Sequence, residues 1–263
     1  MGYNFLEQQV NNGVGVVWIS RPPANALNVE LLEEIHAVVD ELTLNENVRA
    51  VIFTGKGPFF AGGADIKMME ERKGKDLPPF IEGFTVHLQR VYNKIEDMPK
   101  PVIAAINGYA AGGGCELALA CDFRFMAKGK ARMGLPEVKL GLLPGAGGLQ
   151  RMPRLIGKAK AMELIITGAL LSAEEALEIQ LVHKIFEADE LMEKTFEYAE
   201  SLAKQATLAI GAIKLCINRG LDTNMRTGLA FDIDYQDRLF KSQDAMEGIA
   251  AFIEKRKAVF KGK

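Results

Sequence analysis

Residues Pro101 to Ala127 read PVIAAINGYAAGGGCELALACDFRFMA. The apolar run after Pro101, closed by Asn107-Gly108, predicts a buried strand. Gly112, Gly113 and Gly114 then open a helix, and DFRFMA reads as another strand. Working towards the N-terminus, GVGVVWIS (Gly13 to Ser20) and VRAVIFTG (Val48 to Gly55) have strand character. Between them VELLEEIHAVVDEL carries apolar residues at helical spacing. A charged, irregular patch from Glu70 to Pro79 precedes a helix expected around Phe84 to Ile95. This alternation predicts an α/β core.

Towards the C-terminus the character changes beyond about Pro144. Segments starting near Lys158, Ser172, Asp189, Ala206, Arg226 and Gln243 read as helices, and Ser172 with Glu175 has the spacing of a capping box. With little strand left to cover, these helices are expected to pack on the core, on a neighbouring subunit, or on both.

Composition narrows the function classes. The chain is 48% apolar and 25% charged, ordinary globular usage, and no stretch approaches the ~20 consecutive apolar residues of a membrane-spanning helix. Lys and Arg (32) nearly balance Asp and Glu (34), with no basic stripe for a phosphate backbone, so neither nucleic acid nor membrane is an expected partner. MGYNFLEQQVNNG lacks the basic start and apolar core of a signal peptide. Three cysteines (Cys115, Cys121, Cys216) fit neither a disulfide framework nor zinc spacing; a cytoplasmic location and no metal are expected.

Several chemistries lack their parts. GAGGLQ (Gly145 to Gln150) has Gln150 where a dinucleotide fingerprint needs its third glycine. Phosphate-loop, nucleophile-elbow and H-E-x-x-H patterns are missing, and His36, His87 and His183 are far apart in sequence. What remains is backbone and carboxylate. Glycines ahead of a helix allow close approach to amides that have no internal partner, an arrangement suited to a developing oxyanion. FFAGGADIK (Phe59 to Lys67) repeats that logic, so two loops would each supply a donor. Glu116, in the first turn after the glycines, and Glu137, after Pro136, each also have a bland reading: a carboxylate at a helix N-terminus and a residue in a surface turn. Cys115 beside Glu116 has no basic neighbour and reads as a small buried thiol.

Five segments in order, PPANALN (Pro22 to Asn28), FFAGGADIK, PKPVIAAINGYAAGGGCELALACD, LPEVKLGLLPGAGGLQRMPRLIG and SQDAMEGIAAFIEKRK, resemble the enoyl-CoA hydratase/isomerase, or crotonase, superfamily across essentially the whole chain. The resemblance implies an α/β fold, a crotonase-like spiral of ββα repeats over residues 1–190, followed by a helical oligomerisation region over 191–263 that builds trimers or dimers of trimers. It implies that the amides of Ala64 and Gly113 hold the thioester oxygen of an acyl-CoA substrate. It further implies that Glu116 and Glu137 hydrate the 2,3 double bond of a trans-2-enoyl-CoA to a 3-hydroxyacyl-CoA, a hydro-lyase reaction of fatty-acid or related acyl-CoA degradation. Coenzyme A would arrive as part of the substrate, with no separate cofactor. Main-chain contacts to it are implied around Ala24, Ala26, Leu27 and Gly62, with Lys67 near its phosphates and Lys255 reaching its nucleotide end, including that of a neighbouring subunit. Leu149, Leu135 and the form of PPANALN depart from common hydratase patterns and bear on chain length. An isomerase needs the same oxyanion hole but only one carboxylate. An RNA-binding member of the family and a paired-carboxylate glycosidase fit the charge balance, the glycine loops and the 8% aromatic content less well.

Overall fold

A computed structural model describes residues 2–71 and 81–263. The irregular patch expected at Glu70 to Pro79 lies outside the described residues from residue 72 onward. Six strands, β1 (Leu6–Asn11), β2 (Val14–Ile19), β3 (Ala50–Gly55), β5 (Val102–Ile106), β7 (Phe123–Ala127) and β10 (Lys184–Phe186), form one sheet in the order β1-β2-β3-β5-β7-β10. Four short strands, β4 (Phe59–Ala61), β6 (Tyr109–Ala111), β8 (Arg132–Gly134) and β9 (Leu170–Leu171), form a second in the order β4-β6-β8-β9. The chain alternates between them: β3 lies in the larger sheet and β4 in the smaller, and β5–β6 and β7–β8 repeat the step. Each repeat thus lays parallel strands beside those of the last, as the resemblance implies.

Burial explains why the larger sheet forms where it does. Every residue of β3 and β5 is buried, as parallel strands covered on both faces require. Helix α1 (Val29–Leu44) buries Leu31, Leu32, Ile35, Val38, Val39 and Leu42 along one stripe, each such side chain contributing about 1.5–3 kcal/mol of transfer free energy. Its start is fixed by Asn28, whose side chain accepts from the Leu31 amide at 3.0 Å. Helix α8 (Leu191–Ala203) buries Leu191, Thr195, Ala199 and Ala203 at four-residue spacing and lies against β2, β3, β5, β7 and β10. The sheet is therefore covered by a helix from beyond residue 190.

Strand β2 falls within the expected Gly13 to Ser20, whereas β1, and with it the edge hairpin, is not among the strands expected from sequence. Asn12 and Gly13 both have positive φ (49° and 80°), the mirror-image turn for which Asn-Gly is the standing signal. The short strands β4, β6, β8 and β9 have two or three residues each, too few for a periodicity to register.

The remaining α-helices among the described residues are α2 (Ile66–Glu71), α3 (Val86–Glu96), α4 (Gly113–Ala120), α5 (Gly148–Ile156), α6 (Lys158–Thr167), α7 (Ala173–Glu178), α9 (Thr207–Leu221), α10 (Met225–Phe240) and α11 (Gln243–Ile253). The capping box at Ser172 and Glu175 is present. Helix α10 buries none of its residues, and Leu229, Ile233 and Phe240 on it are exposed, as are Met246 and Phe252 on α11. Among the described residues no helix is long and apolar enough to cross a membrane.

Candidate active site

The strands β4, β6 and β8 are parallel neighbours, so the loops that follow them emerge from one edge of the smaller sheet. These loops are Gly62-Gly63-Ala64, Gly112-Gly113-Gly114 and Leu135-Pro136-Glu137. The first is tied to the N-terminal segment. Gly62 donates to Ala24 O at 2.9 Å, Leu27 donates to Gly63 O at 2.7 Å, and Asp65 donates to Leu27 O at 2.8 Å. Arg21 closes this junction, donating to Ala26 O at 2.8 Å and pairing with Asp65 at 2.7 Å. Ala24, Ala26, Leu27, Gly62 and Ala64 are therefore brought together. The second and third loops are joined by the Gly112 amide, which donates to Gly134 O at 3.0 Å.

The glycine run is dictated by packing. A Cβ on Gly114 would lie 2.0 Å from Ala61 O, and Gly112 adopts φ +54°, where side chains are strained. Among the described residues neither the Ala64 nor the Gly113 amide donates to another group. They are neighbours: the Cβ position of Gly113 is 3.9 Å from Ala64 N, and that of Gly63 is 3.7 Å from Gly113 N. Two unengaged donors side by side at a helix start form a site for negative charge.

The two carboxylates flank the same turn. Glu116 is 2% exposed, and its Oε1 accepts from the amides of Ala146 and Gly148, both at 2.8 Å. Both bonds fall on one oxygen, leaving the lone pairs of Oε2 for another donor. Glu137 starts a short 3-10 turn, Glu137–Leu140, and its Oε1 lies 3.0 Å from the Cβ position of Gly112. Its Oε2 is buried and has no hydrogen-bond partner among the described residues. Such an atom is costly unless something else binds it.

Electrostatics separates the pair. Burial pushes the Glu116 carboxyl up, opposed by the Gly148 and Ala146 amides and by Arg151. Burial pushes Glu137 up to about 7, opposed by its own backbone amide and reinforced by the charge of Glu116. Glu137, with no amide pair from another loop on it, is the more easily protonated near neutrality. Cys115 is fully buried and its thiol is pushed up by burial and by both glutamates, which fits a space-filling thiol and not a nucleophile.

Sequence reasoning did not assign roles to the residues that hold Glu116. Arg151 donates to Glu96 at 2.6 Å, Asn93 at 2.7 Å and Ala146 O at 3.1 Å, and Gln89 donates to Gly145 O at 2.7 Å. These bonds fix the loop that presents Ala146 and Gly148. The only sequence signal was the loop itself, GAGG, in which the sequence excludes a dinucleotide fingerprint and offers no other role. Lys67 is exposed on α2 and connects to the first loop through its amide, which donates to Asp65 Oδ1 at 3.1 Å. Lys255 is exposed just after α11, and among the described residues no contact joins it to the three loops. A cavity of about 350 Å³ lies elsewhere, between α9 and the C-terminal end of α4, lined by Leu119, Arg154, Ile213 and Lys214 among others, and neither glutamate lines it.

Comparison with known proteins gives a consistent result. The model of the enoyl-CoA hydratase/isomerase family matches residues 9–263. The short-chain-enoyl-CoA hydratase of Clostridium acetobutylicum is 44% identical over 248 residues, covering 93% of this chain and 92% of that protein. The crotonyl-CoA hydratase of Syntrophomonas wolfei is 39% identical over 262 residues, 99% of each. The crystal structure of the enoyl-CoA hydratase from Bacillus anthracis superposes with a TM-score of 0.91 at 38% identity, covering 99% of this chain and 100% of that one.

Proposed function

This chain belongs to the enoyl-CoA hydratase/isomerase family, and from that premise we propose that it is a hydro-lyase adding water to a trans-2-enoyl-CoA to give a 3-hydroxyacyl-CoA. The observation that carries the reading is the meeting of two unengaged amides, Ala64 and Gly113, with two carboxyl groups held in different protonation environments. The amides bind the thioester oxygen. Glu116, ionised and fixed through Oε1, orients a water molecule and accepts one of its protons as the oxygen attacks C3. The π electrons of the C2–C3 bond move onto the thioester oxygen, where the two amides stabilise the enolate. Glu137, protonated, gives its proton to C2. One proton then passes from Glu116 to Glu137, and the pair returns to its starting charge with one water consumed.

The acyl-CoA lies along the junction of Ala24, Ala26, Leu27 and Gly62 in this proposal, with Lys67 at the phosphates. The exposed apolar residues of α10 and α11, Leu229, Ile233 and Phe252 among them, support assembly as a trimer or dimer of trimers, in which Lys255 reaches the nucleotide end of coenzyme A bound to a neighbour. The free thiols support a cytoplasmic place in acyl-CoA degradation, and the reaction as drawn uses no cofactor beyond the coenzyme A of its substrate.

The deciding experiment follows the loss of conjugated-thioester absorbance of crotonyl-CoA. Rapid loss, with 3-hydroxybutanoyl-CoA as product, is the expected result. Conversion of a 3-enoyl-CoA to its 2-enoyl isomer without hydration overturns the assignment in favour of isomerase.

A further inference from the structure

The segment that must hold an amide still has the least intrinsic rigidity in the site. Glycine costs about 1 kcal/mol relative to alanine at each helical position, and Gly113 and Gly114 occupy the first two residues of α4 behind Gly112. The packing leaves no alternative. A Cβ on Gly114 would strike Ala61 O, and one on Gly113 would lie 2.9 Å from Leu27 Cδ1. Order that the side chains cannot supply has to come from bonds made to the backbone itself.

It comes from Tyr92 on α3. The ring is fully buried, and its hydroxyl donates to Gly113 O at 2.7 Å. The preceding peptide is pinned as well, because Gly112 O accepts from the Glu116 amide at 2.9 Å. Both peptide planes that meet at Gly113 Cα are therefore fixed, and with them the direction of the Gly113 N–H. Burial and the nearby charge of Glu116 push the phenol well above its ordinary range, so it stays protonated and a donor at neutral pH. The placement belongs to a pattern along α3. Gln89, Tyr92, Asn93 and Glu96 recur at i, i+3, i+4 and i+7 on one face: Gln89, Asn93 and Glu96 hold the loop that grips Glu116, and Tyr92 holds the oxyanion turn.

We propose that Tyr92 is a positioning residue for the hydration reaction, its hydroxyl aiming the Gly113 amide at the thioester oxygen. This rests on the reading of Ala64 and Gly113 as the oxyanion donors. A tyrosine that merely fills the core would satisfy its hydroxyl on the same carbonyl without affecting how a bound thioester is polarised, and that difference can be measured.

The test compares the unmodified protein with Tyr92→Phe, using the infrared C=O stretch of bound butanoyl-CoA labelled with 13C at the thioester carbon. The saturated thioester cannot be hydrated, and hydrogen bonds to its oxygen lower the stretch. In the parent the band moves to lower wavenumber on binding. In Tyr92→Phe the downshift is smaller and the band broader, while kcat for crotonyl-CoA falls about tenfold with KM within twofold, the loss expected for about one neutral hydrogen bond. An unchanged downshift in Tyr92→Phe overturns the proposal whatever happens to kcat. No downshift in the parent removes the oxyanion reading itself, a separate failure. If Tyr92→Phe does not fold, 4-aminophenylalanine at position 92 carries the test: it keeps a weaker donor, so an intermediate downshift supports the proposal and one equal to the parent's overturns it.

Discussion

The amide of Gly112 donates to the carbonyl of Gly134 at 3.0 Å, and this bond fastens the loop after β6 to the loop after β8. One loop leads into Glu116 and the other into Glu137. The spacing of the two carboxyl groups is thus set by the register of adjacent strands, Ala111 opposite Gly134, and not by either loop alone.

Replacing either carboxylate tests the division of labour. Glu116→Gln and Glu137→Gln are each expected to lower kcat for crotonyl-CoA by about 100-fold or more, the range of a lost acid or base. Circular dichroism should show both variants folded. A variant retaining more than a tenth of the parent rate is not missing a proton-transfer group.

The pH profile follows from the raised carboxyl of Glu137. Hydration as proposed needs Glu137 protonated and Glu116 ionised. With Glu137 at about 7, kcat/KM should fall as pH rises through that value, and on the acid side it should fall as Glu116 is protonated. The alkaline limb should vanish from the residual activity of Glu137→Gln.

Stability should follow the same group in the same direction of pH. A carboxyl raised in the folded state from 4.5 to about 7 favours folding fully below pH 4.5, and this contribution is lost as pH rises through 7. Such a shift corresponds to roughly 3 kcal/mol at most, and partial exposure reduces it to on the order of 1–2 kcal/mol. Urea denaturation at pH 8 should find Glu137→Gln more stable than the parent by that amount, with the gap closing at pH 4.5.

Arg151 supports Glu116 at one remove. Arg151→Met removes the donors to Glu96, Asn93 and Ala146 O, so the loop bearing the Ala146 and Gly148 amides loses its anchor. The expected outcome is a 10- to 100-fold fall in kcat/KM with a stability loss of about 1–3 kcal/mol. Unchanged kinetics in a destabilised protein would mean that the loop holds its shape without this side chain.

Glycine requirements separate sharply by position. Gly114→Ala places a Cβ 2.0 Å from a backbone oxygen and should cost about 3 kcal/mol or more, or abolish soluble expression. Gly83→Ala meets nothing within 4 Å among the described residues and has no positive φ, so denaturation should change by less than about 0.5 kcal/mol.

Much of this was legible in the residues, for identifiable reasons. The runs of β3 and β5 are apolar because parallel strands are covered on both faces, and α1 shows its stripe because only one face is covered. Ser172 and Glu175 predicted a cap because that interaction is local. The glycine run announced close backbone approach for the same reason. The hairpin at Asn12-Gly13 is equally local, its signal carried by that dipeptide alone.

Other features belong to the tertiary structure because they join residues far apart in sequence. That Oε1 of Glu116 is gripped by Ala146 and Gly148, 30 and 32 positions on, depends on α3 bracing the loop through Gln89, Asn93 and Glu96. The rise of Glu137 to about 7 needs both burial and the charge of Glu116, neither of which a Pro-Glu pair contains. The sequence determined which segments could be strands, helices and close turns, since propensity and periodicity act over a few residues. Only the fold decided that two free amides and two unequal carboxyl groups meet at one sheet edge, because desolvation and charge coupling depend on what surrounds a group in space.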